Sequence, residues 1–213
     1  SARLIHVKIC GITSFNDAIM AANYGASALG FIFYEKSPRY INPEIIKTWI
    51  SNVPSSVKKV GVFVNKDVDK VNKIAEELNL GMVQLHGDES PEYCNQMIKP
   101  VIKVFRVNNK FDSIMLNNYQ VATFLFDTYN KENHGGTGES FDWQSILQLN
   151  TEIPVILSGG LNADNVLEGI EVVKPSAVDV NSGVEAAPGK KDEEKIKNLF
   201  TILKNTKENI EIF

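Results

Sequence analysis

Cysteine, histidine and arginine are all scarce in this chain, and each shortage removes a class of function. Of 213 residues only two are cysteines, Cys10 and Cys94. One bridge at most cannot hold a disulfide-dependent scaffold, and the two lie too far apart for a C-x-x-C zinc or redox site. The histidines, His6, His86 and His134, show no H-E-x-x-H or paired-ligand spacing, so no metal centre is expected. Basic residues number 22 against 26 acidic ones, a net charge of -4. The lysines are scattered, so there is no basic stripe to neutralise a phosphate backbone or an anionic membrane, and neither nucleic acid nor membrane is an expected partner. No apolar run approaches membrane-spanning length and no basic-then-apolar segment opens the chain, which therefore reads as cytoplasmic. Both the G-x-G-x-x-G dinucleotide turn and the G-x-S-x-G nucleophile elbow are missing.

What the sequence does contain is a repeated alternation. Eight short β-branched or aromatic runs, bounded by Gly, Asn, Asp or Pro, read as strands: 5–10, 28–33, 59–64, 82–85, 101–106, 123–127, 154–158 and 177–180. Between them 14–24, 43–50, 67–78, 91–97, 142–149, 163–172 and 192–204 read as helices, with a weak helix or turn near 111–116. The last helix is the clearest, with Asp192 placed to cap it and Ile196, Leu199, Phe200 and Leu203 on one stripe. Alternating strands and helices imply right-handed βαβ units and a parallel sheet, and eight of them imply closure into a single-domain (β/α)8 barrel spanning 1–213. With about 250 residues usual for such barrels, this one has short loops.

In a closed parallel barrel the working residues lie at the strand C-termini. Here the first strand ends in Cys10, the second leads into Ser37-Pro38-Arg39, the sixth ends in Asp127, the seventh in Ser158-Gly159-Gly160, and the eighth leads into Asn181-Ser182-Gly183. Glycines after the seventh and eighth strands occupy the usual phosphate site of such barrels, because backbone amides surround an anion only where no Cβ blocks approach. A Gly-Gly alone is commonly just a tight turn; both loops together point to a phosphate cradle. The stretch Gly183–Lys191 only mimics a nucleotide-binding P-loop: its spacing is one residue too long and Lys191 stands where a hydroxyl belongs.

Cys10 by itself reads as a small buried hydrophobe and Asp127 as an acceptor for loop amides; opposed across a mouth above a phosphate cradle they become a candidate base and acid. If Cys10 faces inward, so does Lys8, whose ammonium below the thiol would favour thiolate. Lys8 is equally placed for an ion pair with Asp179 on the eighth strand. Arg39 can grip a carboxylate bidentately, with Arg106 at the end of the fifth strand as its competitor. His86, at the fourth strand's end, either lines the mouth or serves as a structural hydrogen-bonding group.

Taken in order, these segments resemble the phosphoribosylanthranilate isomerase family of tryptophan biosynthesis. The likeness is carried by Lys8-Ile-Cys-Gly-Ile-Thr13, Ser37-Pro-Arg39, Val83-Gln-Leu-His-Gly-Asp-Glu-Ser90, Gly135-Gly-Thr-Gly138, Ser158-Gly-Gly-Leu-Asn162 and Val178-Asp-Val-Asn-Ser-Gly-Val-Glu185. Asn181 departs from it, standing where a serine is common. The resemblance implies an Amadori rearrangement of N-(5-phosphoribosyl)anthranilate to 1-(2-carboxyphenylamino)-1-deoxyribulose 5-phosphate. It implies Asp127 as the acid that protonates the ribose ring oxygen and Cys10 as the base that takes the C2 proton. Arg39 would then hold the anthranilate carboxylate, and Gly159, Gly160, Asn181, Ser182 and Gly183 the phosphate. Gly135, Gly136 and Gly138 would either let the loop after the sixth strand fold over the substrate or donate to its phosphate. No metal and no redox cofactor is needed, the partner is a phosphorylated small molecule, and nothing marks a dimer surface, so a monomer is the default. The rivals are a related phosphosugar-barrel isomerase and a non-catalytic phosphate-binding barrel. The first would call for different residues at the strand ends, and the second for loss of Cys10, Asp127 or Arg39.

Overall fold

The computed structural model describes residues 5–129 and 141–204 of the chain. Its eight strands are β1 (His6–Ile9), β2 (Ala28–Ile32), β3 (Lys58–Phe63), β4 (Met82–Leu85), β5 (Val101–Arg106), β6 (Thr123–Asp127), β7 (Val155–Ser158) and β8 (Ala177–Val180). All pair in parallel and in chain order, and β8 closes on β1 with Lys8 opposite Asp179. The expected barrel is observed, with every strand within a residue or so of its expected bounds.

Helices cover the outside. The helix α1 (Phe15–Tyr24) starts where Ser14 accepts a hydrogen bond from the Asp17 amide, and it stops at Gly25, whose φ of 118° only glycine adopts readily. Then come α2 (Pro43–Ile46), α3 (Val68–Glu77) capped by Asp67, α4 (Pro91–Cys94) capped by Ser90, α5 (Trp143–Ile146), α6 (Val166–Val173) and α7 (Glu193–Leu203) capped by Asp192. Several are shorter than their sequence pattern suggests. The expected helix over 43–50 breaks after Ile46, where Thr48 bonds back to the Ile45 carbonyl, and resumes as a single 3-10 turn at Ile50–Asn52. The weak stretch near 111–116 is a 3-10 helix, Ser113–Asn118. An antiparallel hairpin, β9 (Glu185–Ala187) and β10 (Lys190–Lys191), follows β8; the sequence reading did not include it.

Two apolar layers hold the barrel. Between strands and helices, Ile9, Leu29, Phe31, Phe63, Phe124 and Phe126 pack outward against residues such as Ala18, Val71, Ile196 and Leu199. Burying each such large side chain stabilises the fold by about 1.5–3 kcal/mol. Inside, Ala28, Val60, Met82, Ile102, Leu125, Ile156 and Ala177 fill the lower barrel. Toward the strand C-termini this filling gives way to Lys8, Gln84, Asp127, Ser158 and Asp179. Alternation along each strand sets that polarity at the end where loops converge. Among the described residues no helix is long and apolar enough to cross a membrane.

Candidate active site

A central cavity of about 180 Å³ opens at the C-terminal end of the barrel, and Cys10, Asp127, Gln84, Ser158, Asp179 and Asn181 all line it. Two larger cavities adjoin it. One of about 560 Å³ shares His86 and Asp127 and extends over β5 to Arg106; the other, of about 450 Å³, shares Gly160 and Ser182 and reaches Gly183 and Lys195. The two residues expected as base and acid therefore face one space, with the expected phosphate loops on its flank.

Cys10 follows β1 directly and its amide continues the sheet by donating to the Val180 carbonyl at 3.0 Å. Its thiol is buried beside Ile32 and Val62. Room for it comes from β2: a Cβ on Gly30 would stand 2.6 Å from Cys10 Sγ. Lys8 points inward below it, fully buried, and its Nζ donates to Asp179 Oδ1 at 2.8 Å, while Ser158 Oγ donates to Asp179 Oδ2 at 2.8 Å. Lys8 thus makes the ion pair and lies under the thiol as well. Burial pushes the Cys10 thiol up, and the opposing pull of Lys8 and, more weakly, Lys191 does not reverse it. Lys8 pulls toward thiolate as expected, but desolvation outweighs one nearby ammonium that Asp179 already engages.

Asp127 ends β6, and its Oδ1 accepts the Tyr129 amide at 3.1 Å. Loop seven passes close by, since Gly159 turns with φ of 102° and any Cβ there would collide with Asp127 Oδ1 and the Tyr129 amide. Gly160 also has positive φ, 65°. The loops after β7 and β8 touch where Gly183 lies against the Leu161 carbonyl, with no space for a side chain. Among the described residues no group accepts from the amides of Gly160, Ser182 and Gly183, which leaves three donors around the third cavity. Lys195, whose Nζ donates to the Glu185 carbonyl at 2.8 Å, adds a cation to its wall. Asn181 is tied to the hairpin instead, its Oδ1 accepting from Lys191 Nζ at 3.0 Å.

Arg39 sits at the rim beside the loops after β1 and β8, its stem against Gly11, the residue after Cys10; a Cβ there would lie 2.9 Å from Arg39 Cδ and 2.5 Å from Asn181 Oδ1. Arg106 is the more exposed of the two competing arginines and donates to the Tyr129 carbonyl at 3.1 Å. His86 reaches the mouth, where its Nδ1 lies 3.3 Å from Gln84 Nε2. Gln84 Oε1, buried in the same cavity, has no hydrogen-bond partner among the described residues. The sequence reading gave Gln84 no role, although its position two residues before His86 on an inward face was the available signal. It also missed a buried pair outside the barrel, Lys103 Nζ to Glu89 Oε1 at 3.0 Å, whose Glu89 also accepts the Gly87 and Asn65 amides and so fixes the loop that carries His86. Gly135, Gly136, Gly138 and His134 lie outside the described residues. No group of three or more His, Cys, Asp or Glu among the described residues could hold a metal ion.

Comparison with known proteins identifies the family. The profile of the N-(5'-phosphoribosyl)anthranilate (PRA) isomerase family matches residues 7–202. The N-(5'-phosphoribosyl)anthranilate isomerase of Citrifermentans bemidjiense is 48% identical over 194 residues, covering 91% of this chain and 94% of its own. That of Geobacter sp. strain M21 is 49% identical over 193 residues, covering 91% and 95%. Among solved structures, the phosphoribosyl anthranilate isomerase of Thermotoga maritima superposes with a TM-score of 0.85 at 43% identity, over 94% of this chain and 99% of its own. A phosphoribosyl anthranilate isomerase bound to reduced 1-(o-carboxyphenylamino)-1-deoxyribulose 5-phosphate gives 0.83 at 42% identity, again over 94% and 99%.

Proposed function

The chain belongs to the N-(5'-phosphoribosyl)anthranilate isomerase family of tryptophan biosynthesis, and from that premise we propose how its own residues carry out the Amadori rearrangement of N-(5-phosphoribosyl)anthranilate. The observation that carries the reading is the shared cavity of Cys10 and Asp127, flanked by the touching loops after β7 and β8.

The phosphate end of the substrate lies against the amides of Gly160, Ser182 and Gly183, with Lys195 nearby, and the carboxylate end at Arg39. That orientation stretches the ribose across the central cavity between acid and base, and fixing both ends removes the entropy cost of aligning them. Asp127 gives a proton to the ring oxygen. The C1–O bond breaks as the anilino nitrogen's lone pair forms the iminium. Cys10 then removes the C2 proton, made acidic by the adjacent iminium, and the electrons of the C–H bond move to give the enolamine, which tautomerises to the ketone. Burial raises the Cys10 pKa, so the fraction present as thiolate is small but more basic, and the adjacent iminium makes the proton it takes acidic. Gln84 Oε1 offers an acceptor to a ribose hydroxyl, and Ser158 and Lys8 hold Asp179 in place beneath the sugar. We place this step in the cytoplasm, as a small phosphorylated substrate and the absence of a membrane-spanning helix among the described residues are consistent with it.

Complementation tests the reading. A tryptophan auxotroph lacking this isomerase should grow when it expresses the chain and fail with Cys10→Ser at equal soluble expression. Failure of the unaltered chain to rescue would favour a phosphate-binding barrel without the reaction.

A further inference from the structure

Arg39 and Glu185 lie 146 positions apart, yet they form the most saturated contact at the rim. Arg39 Nε lies 3.0 Å from each Glu185 carboxylate oxygen, and Nη2 donates to Oε1 at 2.7 Å. The same carboxylate accepts from Lys191 Nζ at 3.1 Å and from the Gly189 amide at 3.1 Å, and its side chain is only 4% exposed. These contacts hold Glu185 below the usual carboxylate range in spite of its burial. The hairpin β9–β10 exists to present it: Gly189, with φ of 83°, makes the turn and is gripped at its carbonyl by Thr13 Oγ1 from the loop after β1.

A guanidinium has five donors arranged along two edges. Glu185 occupies the edge made by Nε and Nη2. Nη1 and the second Nη2 hydrogen make the other edge, and no described group accepts from Nη1. That free edge matches the two parallel N–H groups that a carboxylate takes bidentately. Two cations, Arg39 and Lys191, surround one buried carboxylate, so positive charge is left over for an incoming anion. The stem is equally fixed, by Gly11 beneath Cδ and by the Arg39 amide donating to Ser37 Oγ at 3.1 Å.

We propose that Glu185 is a positioning residue that aims the free edge of Arg39 at the substrate's aromatic carboxylate, and so sets the preference for a carboxylated aniline. The inference rests on reading Arg39 as the carboxylate holder. Losing Glu185 lets a long side chain swing free, and the entropy of re-aiming it then falls on substrate binding rather than on chemistry.

The test compares kcat and KM for N-(5-phosphoribosyl)anthranilate and for its decarboxy counterpart, N-(5-phosphoribosyl)aniline. Glu185→Gln should raise KM for the carboxylated substrate about tenfold, in the range of coupling between contacting charged groups, while kcat changes far less. The preference in kcat/KM for the carboxylated over the decarboxylated substrate should fall by the same factor. Because Glu185→Gln leaves Lys191 buried without its partner, the double variant Glu185→Gln/Lys191→Met is measured beside it and should show the same loss. If Arg39→Ala loses the preference and neither Glu185 variant does, the positioning role is wrong and the Arg39 assignment stands. If Arg39→Ala keeps the preference, the carboxylate is held elsewhere and both readings fall. An equal loss on both substrates in the Glu185 variants would show a purely structural role and overturn the inference.

Discussion

Lys8 and Asp179 face each other across the closing seam of the barrel, on the first and eighth strands, with Nζ and Oδ1 2.8 Å apart and Cys10 one layer above. The pair joins the two ends of the sheet and sets the electrostatics of the site at once. Lys8 remains above its usual pKa despite complete burial, because Asp179 and Cys10 both favour its charge.

Removing one partner of this pair should be costly. Lys8→Met leaves Asp179 buried without its countercharge, and breaking a buried pair costs about 3–5 kcal/mol. Chemical denaturation should show that loss, and Lys8→Met/Asp179→Leu should recover much of it while remaining inactive or nearly so. A single variant as stable as the unaltered chain would mean the pair contributes little.

The thiol should titrate late. Burial raises Cys10 above the ordinary 9.0, so its alkylation rate, which follows thiolate, should still be climbing at pH 9. The measurement belongs in a Cys94→Ala background, although Cys94, itself pushed up to about 11, is also slow to react. The sign is fixed by the raised value: the thiolate fraction, and the alkylation rate with it, grows as pH rises. A rate plateau below neutral pH would show an activated thiolate instead.

Asp127→Asn keeps an oxygen for the Tyr129 amide and so should preserve the loop. It removes the proton donor. Turnover should fall by about a hundredfold or more, while calorimetry with the reduced product analogue should show affinity changed far less. Turnover close to that of the unaltered chain would take Asp127 out of the acid role.

Gly183→Ala should separate the loops after β7 and β8, since the new methyl runs into the Leu161 carbonyl. KM should rise by about tenfold or more, on the scale of a displaced binding group, with competitive inhibition by inorganic phosphate weakened in parallel. Unchanged phosphate inhibition would place the phosphate away from these loops.

The barrel was legible in the sequence because each strand is a short β-branched run whose ends are marked by turn residues. Helix lengths were less so: 91–97 has helical residues throughout but winds only from Pro91 to Cys94, since the tertiary frame and not propensity decides where a short surface helix stops. Cys10 and Asp127 could be named from their places at strand ends. The lysine below the thiol followed from two-residue alternation. Its net effect on the thiol did not, because that depends on how much burial opposes it. Glu185 and Lys191 were invisible as partners: the contact with Arg39 spans 146 positions and has no local pattern. Lys191 appeared in sequence only as the wrong residue for a P-loop, whereas in the fold it is a buried cation holding Asn181 and Glu185.

The central claim is that Cys10 takes the C2 proton, and loss of label from that carbon tests it directly. With substrate deuterated at C2, the unaltered chain should release deuterium to solvent with a primary isotope effect on turnover. Cys10→Ala should release it at least about a hundredfold more slowly while still binding the reduced product analogue. Release from Cys10→Ala at a rate near that of the unaltered chain would contradict the assignment and point to another base in the cavity.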